Sequence, residues 1–183
     1  MRNLIYAINL SADGCCDHTK FGGSEEMLEF HGDLMRDVDL IVYGRKTYEL
    51  MIPYWPNVAK DPSSTKAEAK FAQTLTAIDK IVFSRSLKSA DGNSRIVHGN
   101  LGDEVLKLKQ GTGKKILTGG VSIPEQLIAL GLVDEFCFVI HPVIVGEGRR
   151  LLEGTGLPEN LNLKLSGSDS LKSGAVALHY SKG

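Results

Sequence analysis

Twice in this chain an apolar run with the character of a buried strand stops at glycine and passes at once into a helical segment. The first is Leu40-Ile41-Val42-Tyr43-Gly44 leading into Arg45-Lys46-Thr47-Tyr48-Glu49; the second is Lys115-Ile116-Leu117-Thr118-Gly119-Gly120 leading through Val121-Ser122 into Pro124-Glu125-Gln126-Leu127-Ile128. A helix entered through a glycine turn leaves its first backbone N–H groups without intrahelical partners, and such groups attract phosphate. The first turn also carries adjacent cations, Arg45 and Lys46. Together the two turns predict a phosphorylated cofactor held between two helix starts, in a fold where strands and helices alternate.

The alternation continues along the chain. Residues 4–10 predict a first strand and 11–23 a turn-rich loop. Ser24 is placed to cap a helix with Glu25 and Glu26 in its first turn, where the helix dipole favours acids, while Met27, Phe30, Leu34 and Met35 supply a buried face at helical spacing. This helix is expected to end before Asp37. Beyond the strand at 40–43, Pro53 and Pro56 close off a short helix, and the proline-rich, aromatic stretch 52–64 predicts a surface loop able to act as a lid. A helix over 65–74, strands over 80–83 and 95–97 separated by the Asp91-Gly92-Asn93 turn, and a helix over 101–110 with Val105 and Leu108 inward come next. The rest reads as a helix over 124–130, a strand over 135–140, a glycine-rich connection from Val143 to Gly154, and strands over 161–168 and 175–181 joined as a hairpin through 170–174. This order predicts an α/β architecture: a mostly parallel mixed sheet with helices on both faces and a C-terminal antiparallel hairpin at its edge. Ligands of such sheets bind beyond the carboxyl ends of the strands, where both glycine turns fall.

Bulk properties narrow the partners. The 183 residues suit one domain over 1–183, and a formal net charge of −1 gives no broad attraction for nucleic acid or anionic membranes. Cys15, Cys16 and Cys137 are an odd number without CxxC spacing, and the five histidines are scattered, so no disulfide framework and no metal site is expected. The N-terminal apolar stretch is too short for a signal peptide, which points to a cytoplasmic protein.

Gly119-Gly120 allows close backbone approach to an anion, with Val121 and Ser122 opening the helix beyond it; the same dipeptide also serves an ordinary strand-to-helix turn. Gly44-Arg45-Lys46-Thr47 places two cations and a hydroxyl where a helix usually prefers acids, a conflict that bound phosphate removes, and a solvated basic pair is the alternative. Ser84-Arg85 follows a third strand at the same end of the sheet, and the extra cations favour NADPH, with its 2′-phosphate, over NADH. Arg149-Arg150 offers a partner for a substrate phosphate or a solvated loop.

With these segments in this order, the chain resembles the dihydrofolate reductase-like family and, within it, the reductase domain of bacterial riboflavin biosynthesis and its small stand-alone relatives. The resemblance rests on Ile8-Asn9-Leu10-Ser11-Ala12-Asp13-Gly14, Tyr43-Gly44-Arg45-Lys46-Thr47-Tyr48-Glu49, Phe83-Ser84-Arg85, Leu117-Thr118-Gly119-Gly120 and His141-Pro142-Val143-Ile144-Val145-Gly146-Glu147-Gly148. It implies a three-layer sandwich and an NADPH-dependent reductase of a small heterocyclic substrate. By the same carry-over Gly44, Arg45, Lys46 and Thr47 hold cofactor phosphates, Ser84 and Arg85 lie along the adenosine, Thr118 and Gly119 to Ser122 hold the pyrophosphate, and Ala7 and Ile8 sit beside the nicotinamide. True dihydrofolate reductases place an acid on the first helix, and an ungapped count back from Gly44 lands on Leu28. The opening Ser11-Ala12-Asp13-Gly14 is of the riboflavin type, whose implied reaction is reduction of a phosphoribosylaminouracil, opening its ribose to a ribityl chain. A dihydrofolate or other pterin reductase is the alternative, and a non-catalytic nucleotide-binding regulatory protein is the alternative from another class.

Hydride transfer needs orientation and exclusion of water more than covalent help, yet a proton must still reach the product. Asp13 and Glu29 are candidate donors or substrate anchors, with stabilisation of its own turn as the other role open to Asp13. Tyr48, Tyr54 and Trp55 are candidates for stacking on a flat heterocycle, Trp55 foremost because it lies in the expected lid. Relatives commonly pair, and the terminal hairpin offers a surface for a homodimer.

Overall fold

Successive residues of a strand point to opposite faces of a sheet, and in this protein that period divides the core in two. In β1 (Leu4–Ser11), Leu4, Tyr6, Ile8 and Leu10 join one apolar cluster, while Ile5 and Ala7 face the other side. In β2 (Val38–Gly44), Leu40 and Val42 likewise oppose Ile41 and Tyr43. The structure is a computed structural model that describes residues 1–153, 156–157 and 159–183; Gly154, the far end of the predicted glycine-rich connection, lies outside the described residues.

Six further strands, β3 (Asp79–Phe83), β4 (Ser94–Val97), β5 (Lys115–Thr118), β6 (Glu135–His141), β7 (Leu163–Ser170) and β8 (Val176–Lys182), complete one sheet in the order β4-β3-β2-β5-β1-β6-β8-β7. Pairing is parallel from β4 through to β6 and antiparallel for β6 with β8 and β8 with β7. The mixed sheet with its C-terminal hairpin is the architecture expected from the sequence.

Helices cover both faces. On the Leu4–Tyr6 side lie α5 (Leu101–Gln110) and α6 (Ser122–Ala129), which bury Val105, Leu127 and Ile128. On the other side lie α1 (Glu25–Leu34), α2 (Arg45–Met51) and α4 (Lys66–Ala77), contributing Met27, Tyr48, Phe71 and Leu75. Each buried aliphatic or aromatic side chain of this kind contributes about 1.5–3 kcal/mol. Ser24 caps α1, its hydroxyl accepting from the Met27 N–H at 3.2 Å. Glu26, on the same first turn, accepts the Lys172 and Ser173 amides at 2.7 and 3.0 Å and so ties α1 to the β7–β8 turn.

The stretch 52–64 departs from the expected lid. It contains a helical turn, α3 (Trp55–Val58), that packs on α4: the Trp55 ring meets Phe71 edge-on with centroids 4.6 Å apart, and within the stretch the Ser64 hydroxyl donates to the Val58 carbonyl at 3.0 Å. It is a wall built on α4. Among the described residues no helix is long and apolar enough to cross a membrane.

Candidate functional site

The parallel register brings the two glycine turns together. Thr118 of β5 pairs with Tyr6 of β1 on one side and with Val42 of β2 on the other, so β2 and β5 end close together where α2 and α6 start, while β1 runs on to Ser11 beside β6. Neither helix has a side chain capping its first N–H groups. Gly120 adopts φ +82°, and a Cβ there would run into the Thr47 hydroxyl; a Cβ on Gly44 would lie 2.8 Å from Ile123 Cγ1. Each turn therefore occupies room that only glycine leaves in the other. Tyr6 fixes the arrangement from below, its hydroxyl donating to the Gly120 carbonyl at 2.9 Å.

Three cations surround this double turn. Arg45 reaches Glu49 at 3.5 Å on the exposed face of α2, and Lys46 beside it has no ion pair among the described residues. The third is Arg149, from the loop after β6. Its Nη2 donates to Glu125 Oε2 at 2.6 Å, and its Nη1 lies 3.5 Å from the Ser122 hydroxyl. Glu125 is only 3% exposed and also accepts the Leu152 N–H at 2.9 Å, so a buried carboxylate on α6 holds the guanidinium across the start of its own helix. Arg149 and Arg150, adjacent in sequence, part company in the structure, since Arg150 turns toward Asp13 at 3.5 Å.

These elements border a cleft of about 760 Å3. Of the residues singled out from the sequence, Ala7, Ile8, Gly44, Arg45, Lys46, Thr47, Trp55, Thr118, Gly119, Gly120, Val121 and Ser122 all line it. So do Leu28 and Arg149, both singled out in the sequence, and residues that the sequence alone does not connect with the site: Asn9, Cys16, Met27, His31, Met51 and Phe71. The helical spacing of Met27, Leu28 and His31 was the available signal for one wall. His31 Nε2 lies 3.2 Å from Asn9 Oδ1, and burial, helped by nearby His141, brings the His31 pKa down to about 4, so its ring is neutral at physiological pH. Burial likewise raises the Cys16 thiol and the Tyr43 phenol, which stay protonated.

Other candidates lie elsewhere. Asp13 does not line the cleft: one oxygen accepts from the Ser11 hydroxyl at 2.6 Å and the Val145 N–H at 3.1 Å, the other from the Gly146 N–H at 2.9 Å. These bonds hold its carboxyl far below the usual carboxylate range, an ionised anchor joining the 11–23 loop to the loop after β6. Glu29 is exposed on α1 and does not border the cleft. Tyr48 is buried under α2, where its hydroxyl accepts the Asp91 N–H at 2.7 Å, so its ring belongs to the core and not to a substrate wall. Ser84 and Arg85 follow β3, one strand beyond Gly44; the Ser84 hydroxyl accepts the Leu87 N–H at 2.9 Å and Arg85 is exposed.

Known proteins agree with this fold. The uncharacterized protein YyaP of Bacillus subtilis (strain 168) is 38% identical over 149 residues, covering 81% of this chain and 76% of its own. A protein from Shewanella sp. PV-4 provisionally assigned to riboflavin biosynthesis superposes with a TM-score of 0.72 at 17% identity, over 100% of this chain and 99% of that one. A pyrimidine reductase-like protein from Corynebacterium diphtheriae superposes with a TM-score of 0.66 at 16% identity, over 100% and 92%. The family model of the RibD C-terminal domain matches residues 2–177, nearly the whole length over which the glycine turns, the cleft and the terminal hairpin are built, and the chain belongs to that family.

Proposed function

We propose that this protein is an NADPH-dependent reductase that delivers hydride to a small flat heterocycle, a reaction of the pyrimidine-reductase type. The observation that carries this reading is the interlocked pair of glycine turns, ringed by Arg45, Lys46 and Arg149, at one end of a cleft whose other end is apolar. The turns fit a dinucleotide because they supply uncapped helix N–H groups and positive charge for its phosphates. NADPH, when bound, supplies the hydride.

The protein's own share is binding, orientation and exclusion of water. Gly119, Gly120 and Ser122, with Arg149, would take the pyrophosphate; Arg45, Lys46 and Thr47 would take the adenosine phosphate, with Ser84 and Arg85 beyond. Ala7 and Ile8 form the floor where the ring carrying the hydride would lie, and Trp55 offers a face to the substrate. Asp13 acts from behind the site by holding the loop that carries Arg149. A homodimer formed along the β7–β8 hairpin and a cytoplasmic location complete the proposal; three buried, unpaired thiols suit a reducing compartment.

The test is a titration of the full chain with NADPH and NADH, followed by cofactor fluorescence. Tighter binding of NADPH supports the reading. Absence of binding of either cofactor overturns it.

A further inference from the structure

All the fixed charge in the cleft gathers at one end. Arg45, Lys46 and Arg149 stand at the starts of α2 and α6, and none of the residues lining the cleft is Asp or Glu. The half beneath α1 and α4 is walled by Met27, Leu28, Met51, Trp55 and Phe71, with Asn9 and His31 as its polar pair. His31 is neutral there, and Cys16 stays a thiol. The remaining ionisable ring, His18, is exposed on the 11–23 loop.

An uncharged apolar pocket cannot replace the hydration of a phosphate, a carboxylate or a protonated ring, because transfer from water costs more than dispersion contacts return. It does accept a flat, neutral π-system, and flexible methionine side chains adapt to its outline. Asn9 completes the specification. With its carbonyl oxygen engaged by His31, its amide N–H groups have no hydrogen-bond partner among the described residues, and they suit a carbonyl oxygen on the ligand.

We propose that the hydride acceptor is an uncharged, planar, conjugated carbonyl compound without a phosphate group, seated between Leu28, Met51 and Trp55 with its oxygen on Asn9. This rests on the reductase reading above and narrows it, setting aside the phosphorylated aminouracil as a substrate of this chain. The acceptor gains two electrons and one proton as hydride from NADPH, which leaves as NADP+. Its second proton comes from solvent water, since among the described residues no carboxylic acid lines the cleft.

The experiment uses the full chain with and without NADPH and three probes: ribosylaminouracil, its phosphate ester, and duroquinone. Calorimetry reads binding, and loss of NADPH absorbance reads turnover. Ribosylaminouracil or duroquinone is expected to bind and to oxidise NADPH, with the phosphate ester binding at least tenfold more weakly than its parent. Tighter binding of the ester overturns the proposal, as does failure of both neutral probes to bind. Because the calorimetry is also run without cofactor, neutral probes that bind a protein unable to bind NADPH would refute the reductase reading while leaving the uncharged pocket standing. As a second check, Leu28→Asp is expected to weaken the neutral probes at least tenfold with NADPH affinity unchanged. Unchanged probe affinity in that variant places the ligand elsewhere and overturns the proposal.

Discussion

Gly120 and Thr47 come from different helix starts, yet the space a Cβ on Gly120 would need is the space the Thr47 hydroxyl fills. Gly120→Ala must therefore both enter left-handed backbone, at a cost of about 1–2 kcal/mol, and push α2 away from α6. The variant is expected to unfold at lower denaturant and to bind NADPH at least tenfold more weakly. Gly120→Ala combined with Thr47→Ala recovers part of the affinity, because the smaller residue returns the space. Equilibrium unfolding and cofactor titration read the two effects.

The two cationic groups should be separable by ligand fragment. Arg45→Ala is expected to weaken NADPH more than NADH, whereas Arg149→Ala weakens both and leaves 2′-AMP, which has no pyrophosphate, bound as before. Arg149→Ala also leaves the Glu125 carboxylate short of a charged partner, at about 1–3 kcal/mol of stability. Calorimetric titrations with the three ligands test the division.

His31 makes stability depend on pH in a defined direction. Its pKa falls from the ordinary value of 6.5 to about 4 in the folded protein, so the unfolded chain takes up a proton that the folded chain refuses between those values. Stability is complete above pH 6.5 and declines as the pH falls toward 4, by no more than about 3 kcal/mol from this group. Urea midpoints for the wild type and His31→Gln at neutral and mildly acid pH should show a smaller decline in the variant. His141, also lowered by burial, keeps it from vanishing.

Asp13 is an anchor, and its replacement should act on a loop. In Asp13→Asn the amides of Val145 and Gly146 lose an ionised acceptor, and faster hydrogen exchange at both is expected. Turnover slows because Arg149 is carried by the same loop, while the affinity for 2′-AMP at Arg45 and Lys46 is unchanged. Exchange measured amide by amide, together with turnover, reads the outcome.

The fold was legible because its strongest signals are local. Apolar runs ending at Gly44 and Gly119 and the cap at Ser24 each act within a few residues. The clustering of Arg45, Lys46 and the two glycine turns along one cleft was legible for the same reason, since these groups follow strands that the register aligns. Pairings between distant segments were not. Nothing near Tyr48 shows that its hydroxyl will meet the Asp91 amide 43 residues on, or that Asp13 will be consumed by backbone amides 132 and 133 residues away. Glu125 and Arg149 meet across 24 residues, and only the packing of the loop after β6 on α6 brings them together.

The bonds from Glu26 to the Lys172 and Ser173 amides have a mechanical consequence. Helix α1 carries Met27, Leu28 and His31 on its inner face, and its first turn is hooked to the hairpin at the sheet's outer edge. A load applied at that edge, such as a second subunit pressing on β7, would be transmitted along α1 as a rigid lever to the wall of the cleft. In the proposed homodimer, the residue that holds the hairpin turn and the residues that wall the cleft would thus share one helix.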